Sequence, residues 1–242
     1  MPLYTERTYR KRLRPEGFFS FQVGVRETDL WVCAGRPLQT ETRDLVFLSR
    51  HQIETYIESH PNFSHSLVPV KEDPYAPPIV REMMRAAGKV GVGPMAAVAG
   101  AIAQQVGEGL LNLTDQVIVE NGGDTFLKAD RPLTLTIFAG TSPLSEKFGI
   151  LVPTRQMPLG VCTSSGTIGH SLSQGIADAV CLLSSWTALA DSAATALGNR
   201  IKKKKDLEKA AEWAGQIEGI LGGVVIVGDA MTAWGDIELV EA

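Results

Sequence analysis

Alternating apolar and polar residues predict strands in several parts of the chain. Residues 19–35 alternate over two short runs joined at "RETD", which predicts a pair of strands. Residues 117–127 and 224–239 have the pattern of hairpins, and the first of them turns at Asn-Gly-Gly-Asp. The apolar run within "IADAVCLLSS" predicts a buried strand. The hairpins imply antiparallel sheet.

Helical periodicity occupies the intervals between these strands. "SRHQIETYIESHP" predicts a helix with Ser49 as its N-cap, and "PPIVREMMRAAGKV" predicts a second. A third helix, "PMAAVAGAIAQQVGEGLL", has Pro94 in its first turn and begins with ten residues that are almost all Ala, Gly or Val. Such a surface is suited either to tight helix packing or to a ligand lying against the helix start. "TALADSAATALGNRIKKKKD" and "DLEKAAEWAGQIEGI" predict two more helices.

Strands and helices are mixed without strict β-α-β alternation, so the expected fold class is α+β with mixed and antiparallel sheets. Helices with small residues precede both "VIVENGGDTFL" and "VVIVGDAMTAWGDIEL". Two related halves of the chain would produce such a similarity. Because nothing between these halves resembles a linker, residues 1–242 are expected to form a single domain.

Composition and charge narrow the class of protein. Hydrophobic residues make up 44% and charged residues 21%, as in soluble globular proteins, and the net charge of −4 does not favour nucleic acid or an anionic membrane. The longest apolar run is too short to span a bilayer, and the N-terminal residues show no signal peptide. Three cysteines without a CxxC pair fit a reducing compartment. A soluble, cytoplasmic protein is expected.

A polar stripe runs along the helix predicted from residue 187. Thr187, Asp191, Thr195 and Asn199 follow one another at intervals of four, so they share one helix face. A carboxylate one turn before a hydroxyl offers two hard oxygens to a cation such as Mg²⁺. The alternative is that the stripe faces water.

Residues 162–175, "CTSSGTIGHSLSQG", are nearly all small, hydroxylated or glycine. Such a segment is suited to cradling phosphates without basic side chains, or it is a flexible surface loop. His170 within it is a candidate general base, although a histidine bonded to the backbone is the alternative. Cys162 is a weak candidate nucleophile, because no positive charge stands beside it. Asp124 follows the two glycines of the turn. It either binds a polar group of a ligand or is present because Asp favours the conformation of such turns.

Together these stretches resemble the signature blocks of a widespread prokaryotic family of uncharacterised proteins related to ApbE, the FAD-dependent flavin transferase. The blocks are "GVGPMAAVAGAIA", "ENGGD", "CTSSGTIGHSLSQGIADAV" and "ALADSAATALGN". The resemblance to the uncharacterised family runs from about residue 18 to residue 239, and the resemblance to ApbE itself covers the blocks between about 91 and 198. It implies an ApbE-like fold with two related halves around a ligand cleft.

ApbE enzymes move FMN from FAD onto a threonine or serine of an acceptor protein, releasing AMP with Mg²⁺ present. The resemblance therefore implies FAD and Mg²⁺ as ligands and an acceptor protein as a partner. Homo-oligomers are common among such proteins, and nothing in this sequence fixes an oligomeric state.

The matched motifs assign roles to individual residues. The ApbE pattern "GGIAKGYAVD" is similar to "AAVAGAIAQQ", which puts Ala99 where a backbone carbonyl touches the metal. "LADALATAL" is similar to "LADSAATAL", which puts the metal-binding carboxylate and hydroxyl at Asp191 and Thr195. "NLGGD", "VATSG" and "HIIDPRTG" are similar to "ENGGD", "VCTSSG" and "HSLSQG", and His170 would take the proton from the acceptor hydroxyl. The residues expected to contact the flavin or nucleotide are Gly122, Gly123, Asp124, Thr163, Ser164, Ser165, Gly166 and His170.

The sequence departs from the ApbE pattern in ways that keep two functions open. Gly100 replaces the lysine of "IAKG", the "DPR" of the histidine block has no counterpart, and no export signal is visible. The first function is Mg²⁺-dependent transfer of FMN from FAD with release of AMP. The alternative is a non-catalytic cytosolic flavin or nucleotide binding module that kept the pocket and lost the chemistry. Hard oxygens fit Mg²⁺, Mn²⁺ and Ca²⁺ alike. A cysteine hydrolase built on Cys162 is a third hypothesis.

Overall fold

A wide antiparallel sheet carries helices on one face and a small second sheet on the other. The computed structural model describes residues 16–166 and 175–242. The strands are β1 (Phe19–Val25), β2 (Thr28–Ala34), β3 (Val117–Asn121), β4 (Asp124–Lys128), β5 (Leu133–Thr136), β6 (Phe148–Val152), β7 (Leu159–Ser164), β8 (Ala179–Ser184), β9 (Ile220–Val227), β10 (Ala230–Gly235) and β11 (Glu238–Glu241). The helices are α1 (Gln39–Ser59), α2 (Asn62–His65), α3 (Pro78–Val90), α4 (Val98–Leu110), α5 (Thr187–Arg200) and α6 (Leu207–Gly215).

The strand order shows how distant parts of the chain meet. Eight strands follow the order β1-β2-β3-β4-β7-β8-β9-β10, and β11-β6-β5 form the second sheet. Neighbouring strands pair antiparallel in both sheets. The expected α+β class with antiparallel sheets is therefore confirmed.

Successive residues of the central strands face two separate apolar layers. Along β3, Val117 and Val119 join the layer beneath the helices, whereas Ile118 joins the layer beneath the small sheet. In β8, Val180 and Leu182 face the helices. Because side chains alternate along a strand, a central strand covered on both faces is apolar over most of its length, as β8 is from Ala179 to Leu183.

The predicted hairpins are confirmed at both positions. Strands β3 and β4 join through Gly122 and Gly123, with Asn121 opposite Asp124. Strands β9 and β10 pair over their length, and β11 then leaves for the second sheet. The pair of strands expected at residues 19–35 is also present as β1 and β2.

Two predicted helix ends are wrong. Helix α1 begins ten residues before Ser49, which is buried inside the helix and donates its hydroxyl to the carbonyl of Leu45. The N-cap, Leu38, has no capping side chain, so no local signal marks this start. Helix α5 ends at Arg200, and the following lysines lie in an exposed segment with a short 3-10 turn at Lys204–Asp206.

The small residues of α4 permit a very close contact with α5. A Cβ atom added to Gly100 would lie 2.7 Å from the carbonyl oxygen of Thr187 and 2.8 Å from Cβ of Asp191. Real Cβ atoms do not approach other heavy atoms so closely. Tight packing, one of the two explanations for this composition, therefore holds at Gly100. A 3-10 turn at Pro94–Ala97 leads into the helix.

Within the described residues, no single helix has the length and apolar composition needed to cross a bilayer. In residues 16–166 and 175–242, one bent pair, α3 with the segment Pro94–Leu110, meets those two criteria together, and its two parts are bent by 104°.

Replacement of Gly100 by alanine should destabilise the protein, because the new methyl group meets the backbone of α5. We expect a loss of about 1–3 kcal/mol in the free energy of unfolding, measured by denaturant titration. Gly88→Ala is the matched control, since Gly88 is an exposed residue of α3 with nothing within 4 Å of an added Cβ. That change should be neutral or stabilising by up to about 1 kcal/mol. Equal effects of the two substitutions would contradict the close contact.

Candidate functional site

The carboxylate of Asp191 caps the start of α4 from a different helix. Its Oδ2 accepts the backbone N–H of Gly100 at 2.8 Å, and Asp191 is buried. The N-cap residue of α4, Ala97, makes no side-chain cap of its own. A carboxylate at this place satisfies a free backbone donor and interacts favourably with the helix dipole. Asp191 therefore has a structural role whether or not it binds a cation.

A side chain of α4 in turn caps the start of α5. The side-chain oxygen Oε1 of Gln104 accepts the N–H of Thr187, the first residue of α5, at 2.8 Å. Trp186, the N-cap residue of α5, likewise has no side-chain cap of its own. The two helix starts therefore meet, and each is capped by a buried side chain of the other helix.

The hairpin turn between β3 and β4 brings Asp124 to the same region. Gly122 and Gly123 have φ angles of 71° and 111°, a conformation that favours glycine. The N–H of Gly123 is accepted by Oε1 of Glu120 at 2.8 Å, which holds the turn in place. Asp124 is buried and lies close enough to Asp191 for the two carboxylates to interact.

Burial beside a second carboxyl group changes the acidity of Asp191. Burial and the neighbouring Asp124 raise the pKa of Asp191 well above its ordinary value, and the backbone N–H groups of Gly100 and Ala99 oppose that rise. Within the described parts of the chain, no basic side chain contributes to this pKa. Like charges at one buried place repel each other, so a cation nearby would stabilise the ionised pair.

The donor set at this junction fits a hard cation in composition. Carboxylate and hydroxyl oxygens are the groups that Mg²⁺ and Ca²⁺ prefer. Asp191 and Asp124 supply carboxylates, and half-buried Thr195 lies one turn after Asp191 on the same helix face. Residues 16–166 and 175–242 contain no cluster of three or more His, Cys, Asp or Glu side chains suited to a metal. Any cation here would therefore depend on neutral oxygen donors and water as well.

The Ala99–Gly100 peptide is bonded on both sides. Its N–H, on Gly100, donates to Oδ2 of Asp191 at 2.8 Å. Its carbonyl oxygen, on Ala99, accepts Nδ2 of Asn121 at 3.1 Å. In a trans peptide the C=O and N–H point in opposite directions, so Asn121 and Asp191 contact this peptide from opposite sides.

The polar stripe on α5 does not face water along its length. Thr187 and Asp191 are buried, and Thr195 and Asn199 are half-buried. Thr187 is enclosed because a Cβ at Gly160 of β7 would lie 2.6 Å from its Cα. A solvated helix face is therefore the wrong interpretation for the first two residues of the stripe.

The hydroxyl residues that follow β7 are divided between the two faces of the sheet. The Sγ of Cys162 donates to the carbonyl of Thr187 at 3.4 Å, so Cys162 faces α5. By alternation Ser164 faces α5 as well, and its buried Oγ has no hydrogen-bond partner among the described residues. Thr163 faces the opposite side of the sheet, where its side chain forms a hydrogen bond with Cys181. Burial raises the pKa of Cys181 to about 11, and this hydrogen bond opposes the rise. Ser164, but not Thr163, is therefore on the side of Asp124.

Glycines hold the end of this segment against α5. A Cβ on Gly166 would collide with the carbonyl oxygen of Gly175, and a Cβ on Gly175 would collide with that of Gly198. The N–H of Gly166 also donates to the carbonyl of Ala177 at 2.9 Å. Ser165 is half-buried and Gly166 is exposed. The predicted base His170 lies outside the described residues.

Cys162 lacks the properties of a nucleophile. The thiol is fully buried, and burial followed by the carboxylates of Asp124 and Asp191 raises its pKa well above the ordinary value. Because the thiolate is the reactive form, this environment opposes a cysteine hydrolase.

Sequence reasoning missed three residues that build the junction. Gln104, Asn121 and Glu120 each bond a backbone group, and the first two reach across 83 and 22 positions of sequence. The only signal was position: Glu120 and Asn121 immediately precede the Gly-Gly turn in "ENGGD". A polar residue before such a turn is ordinary for the turn itself, so the pattern did not indicate these contacts.

The family of this chain follows from comparison with known proteins. A family model described as "AbpE bacteria" matches residues 10–228, and the chain belongs to that family. It is similar to a UPF0280 protein of Methanocella arvoryzae, with 41% identity over 212 residues that cover 87% of this chain and 86% of that protein. A UPF0280 protein of Methanosarcina acetivorans is 37% identical over 240 residues, covering 98% and 94%. The resemblance to an uncharacterised ApbE-like family is confirmed.

Solved structures show the same fold. The apo crystal structure of the Pseudomonas stutzeri flavinyl transferase ApbE has a TM-score of 0.59 and 16% identity, covering 89% of this chain and 94% of that one. The flavin transferase ApbE from Vibrio cholerae has a TM-score of 0.59 and 14% identity, covering 90% and 96%. At these identities the likeness establishes the architecture, and the chemistry has to come from the site.

The raised pKa of Asp191 predicts how stability depends on pH without a divalent cation. Between the ordinary carboxyl pKa and the raised folded value, the folded state binds more protons than the unfolded state, so stability should fall as the pH rises. Asp191→Asn keeps an oxygen for the N–H of Gly100 and removes the charge. It should be more stable than wild type at pH 8, and each 1 kcal/mol relieved should raise Tm by roughly 2–4 °C.

Thermal unfolding in EDTA from pH 5 to pH 8 measures this difference. Asp44→Asn is the control, since Asp44 is exposed on α1, and it should follow the wild-type curve. A lower Tm for Asp191→Asn than for wild type at pH 8 would show that the Asp191 charge is already compensated.

Proposed function

We propose that this protein binds FAD with a divalent cation such as Mg²⁺ at the junction of α4 and α5, and transfers FMN to a protein hydroxyl with release of AMP. The observation that supports this most is the meeting of two buried carboxylates, Asp124 and Asp191, at two helix starts, where no basic side chain of the described residues acts on Asp191. The flavin transferase fold of the solved neighbours supports the choice of ligand.

The cation would be held by Asp191 and Asp124, with Thr195 as a neutral oxygen donor. When bound, it supplies positive charge to phosphate oxygens as a Lewis acid. The Ala99 carbonyl, whose oxygen accepts Nδ2 of Asn121, is the further oxygen donor that the resemblance to ApbE assigns to the ion. Asp191 would bind the ion while its Oδ2 keeps the N–H of Gly100.

The ligand would lie along the turn and the end of β7. Gly122 and Gly123 carry no side chain, so a flavin or nucleotide can approach the backbone there. Ser164 offers a buried hydroxyl on the Asp124 side, and Ser165 and Gly166 continue from it towards the pyrophosphate. Thr163, which faces the opposite side of the sheet, is expected to contribute through its backbone alone.

The transfer forms a bond between the acceptor oxygen and the FMN phosphorus and breaks the bond between that phosphorus and the bridging oxygen. AMP leaves with the bridging oxygen, and the acceptor proton passes to a base. The resemblance to ApbE assigns that base to His170, which lies outside the described residues.

A binding module without chemistry is the second candidate function. Gly100 stands in place of the lysine in the ApbE motif, and the contact with α5 leaves no room there for a side chain. The site therefore lacks one positive charge that would assist a phosphate-bearing substrate. The protein would then hold flavin or nucleotide with the cation and release no AMP.

Titration of the protein into FAD, with and without Mg²⁺, separates the two functions. Flavin fluorescence reports binding, chromatography of the same samples reports AMP, and in-gel fluorescence reports flavin on added Ser- and Thr-containing proteins. We expect Mg²⁺-dependent AMP release that falls more than ~100-fold in Asp191→Ala, because the ion contributes several kcal/mol to such a transition state.

Asp44→Ala serves as the control on the exposed face of α1 and should retain wild-type turnover. Undiminished AMP release in Asp191→Ala would rule out the assigned cation site. Mg²⁺-dependent binding without AMP, even with acceptor proteins present, would favour the binding module. The absence of FAD binding would reject FMN transfer from FAD and a module that binds FAD.

A further inference from the structure

The side chain of Asn121 ties the Gly-Gly turn to the start of α4. Asn121 is buried at 9% exposure, and its Nδ2 donates to the carbonyl oxygen of Ala99 at 3.1 Å. It occupies the last position of β3 and stands directly opposite Asp124 across the two-residue turn. The two side chains therefore leave the same face of the hairpin.

One peptide group is held from both sides. Asn121 donates to the C=O of the Ala99–Gly100 peptide, and Asp191 accepts the N–H of the same peptide at 2.8 Å. Hydrogen bonds in such a chain polarise one another, so a donor on the carbonyl strengthens the N–H as a donor. The contact made by Asn121 is thereby transmitted to the carboxylate of Asp191.

A continuous path of covalent and hydrogen-bonded groups connects the two carboxylates. From Asp124 the path crosses the turn to Asn121, continues through its amide to the Ala99–Gly100 peptide, and ends at Asp191. Glu120 anchors the turn through Gly123, and a Cβ at Gly100 would meet α5, so neither end of the path can shift freely. The Asn121 amide is the one side-chain link in this path between the hairpin and α4.

We propose that Asn121 is a positioning residue for the cation site, fixing the separation and direction of Asp124 and Asp191 through the Ala99–Gly100 peptide. The inference rests on the proposed function, since it concerns the same two carboxylates. Asn121 itself donates to a carbonyl and does not bind the ion. Groups that orient ligands in this way typically change metal affinity by about 10–100-fold when they are removed.

Direct measurement of Mn²⁺ binding tests this role without flavin or turnover. The free Mn²⁺ signal in electron paramagnetic resonance gives Kd for wild type and for Asn121→Leu, which has similar volume and no donor. The Kd of the leucine variant should be at least ~10-fold higher. Asn121→Gln keeps an amide donor on a longer arm and should recover part of the loss, which general destabilisation would not produce.

Asn112→Leu is the matched control, because the Nδ2 of exposed Asn112 also donates to backbone carbonyls, those of Glu108 and Gly109 in α4. Its Kd should equal that of wild type. Asn121→Asp is the second variant, used if the leucine variant does not fold. Its carboxylate cannot donate to the Ala99 oxygen, so weaker Mn²⁺ binding supports the proposal. Tighter binding would overturn it by showing that side chain 121 contacts the ion.

The outcomes for wild type and variants separate this inference from the proposed function. If wild type binds Mn²⁺ and a folded Asn121→Leu binds with the same Kd, the positioning role is overturned and the cation site stands. If wild type and all variants fail to bind Mn²⁺, the cation site is rejected and the inference falls with it.

Discussion

The contact between α4 and α5 is the constraint on which the rest of the structure depends. Gly100 lets the two helix starts meet at backbone distance, and only at that distance can Asp191 reach the N–H of Gly100 and Gln104 reach the N–H of Thr187. Neither helix has a side-chain cap from its own N-cap residue. Packing and capping therefore depend on the same contact, because each helix supplies the side chain that caps the start of the other.

This junction brings two carboxyl groups, those of Asp124 and Asp191, into a buried region. Helix starts carry partial positive charge, which stabilises Asp191, whereas the nearby Asp124 raises the pKa of Asp191. A phosphate-bearing ligand would add further negative charge. The divalent cation of the proposed function would offset that charge.

Sequence patterns predicted the elements that depend on neighbouring residues. The β3–β4 hairpin follows from Asn-Gly-Gly-Asp, and the buried strand β8 follows from an apolar run. The start of α1 was missed because Leu38 offers no capping side chain. The stripe on α5 was recognised from its spacing of four, but the burial of Thr187 depends on Gly160, which comes from a strand 27 positions earlier. The sequence patterns therefore missed a helix start that has no capping residue and a burial that depends on a glycine of a distant strand.

The replacement of the ApbE lysine by Gly100 then has a physical meaning beyond the loss of a charge. A side chain at this position would displace α5, and with α5 would go Asp191, Thr187 and the cap on α4. The lysine could not be restored by substitution alone, because the same position now carries the helix contact. The proposed phosphate chemistry would therefore rely on the two carboxylates and a bound cation, and the Ala99–Gly100 peptide, bonded to both Asn121 and Asp191, would fix how these groups are arranged.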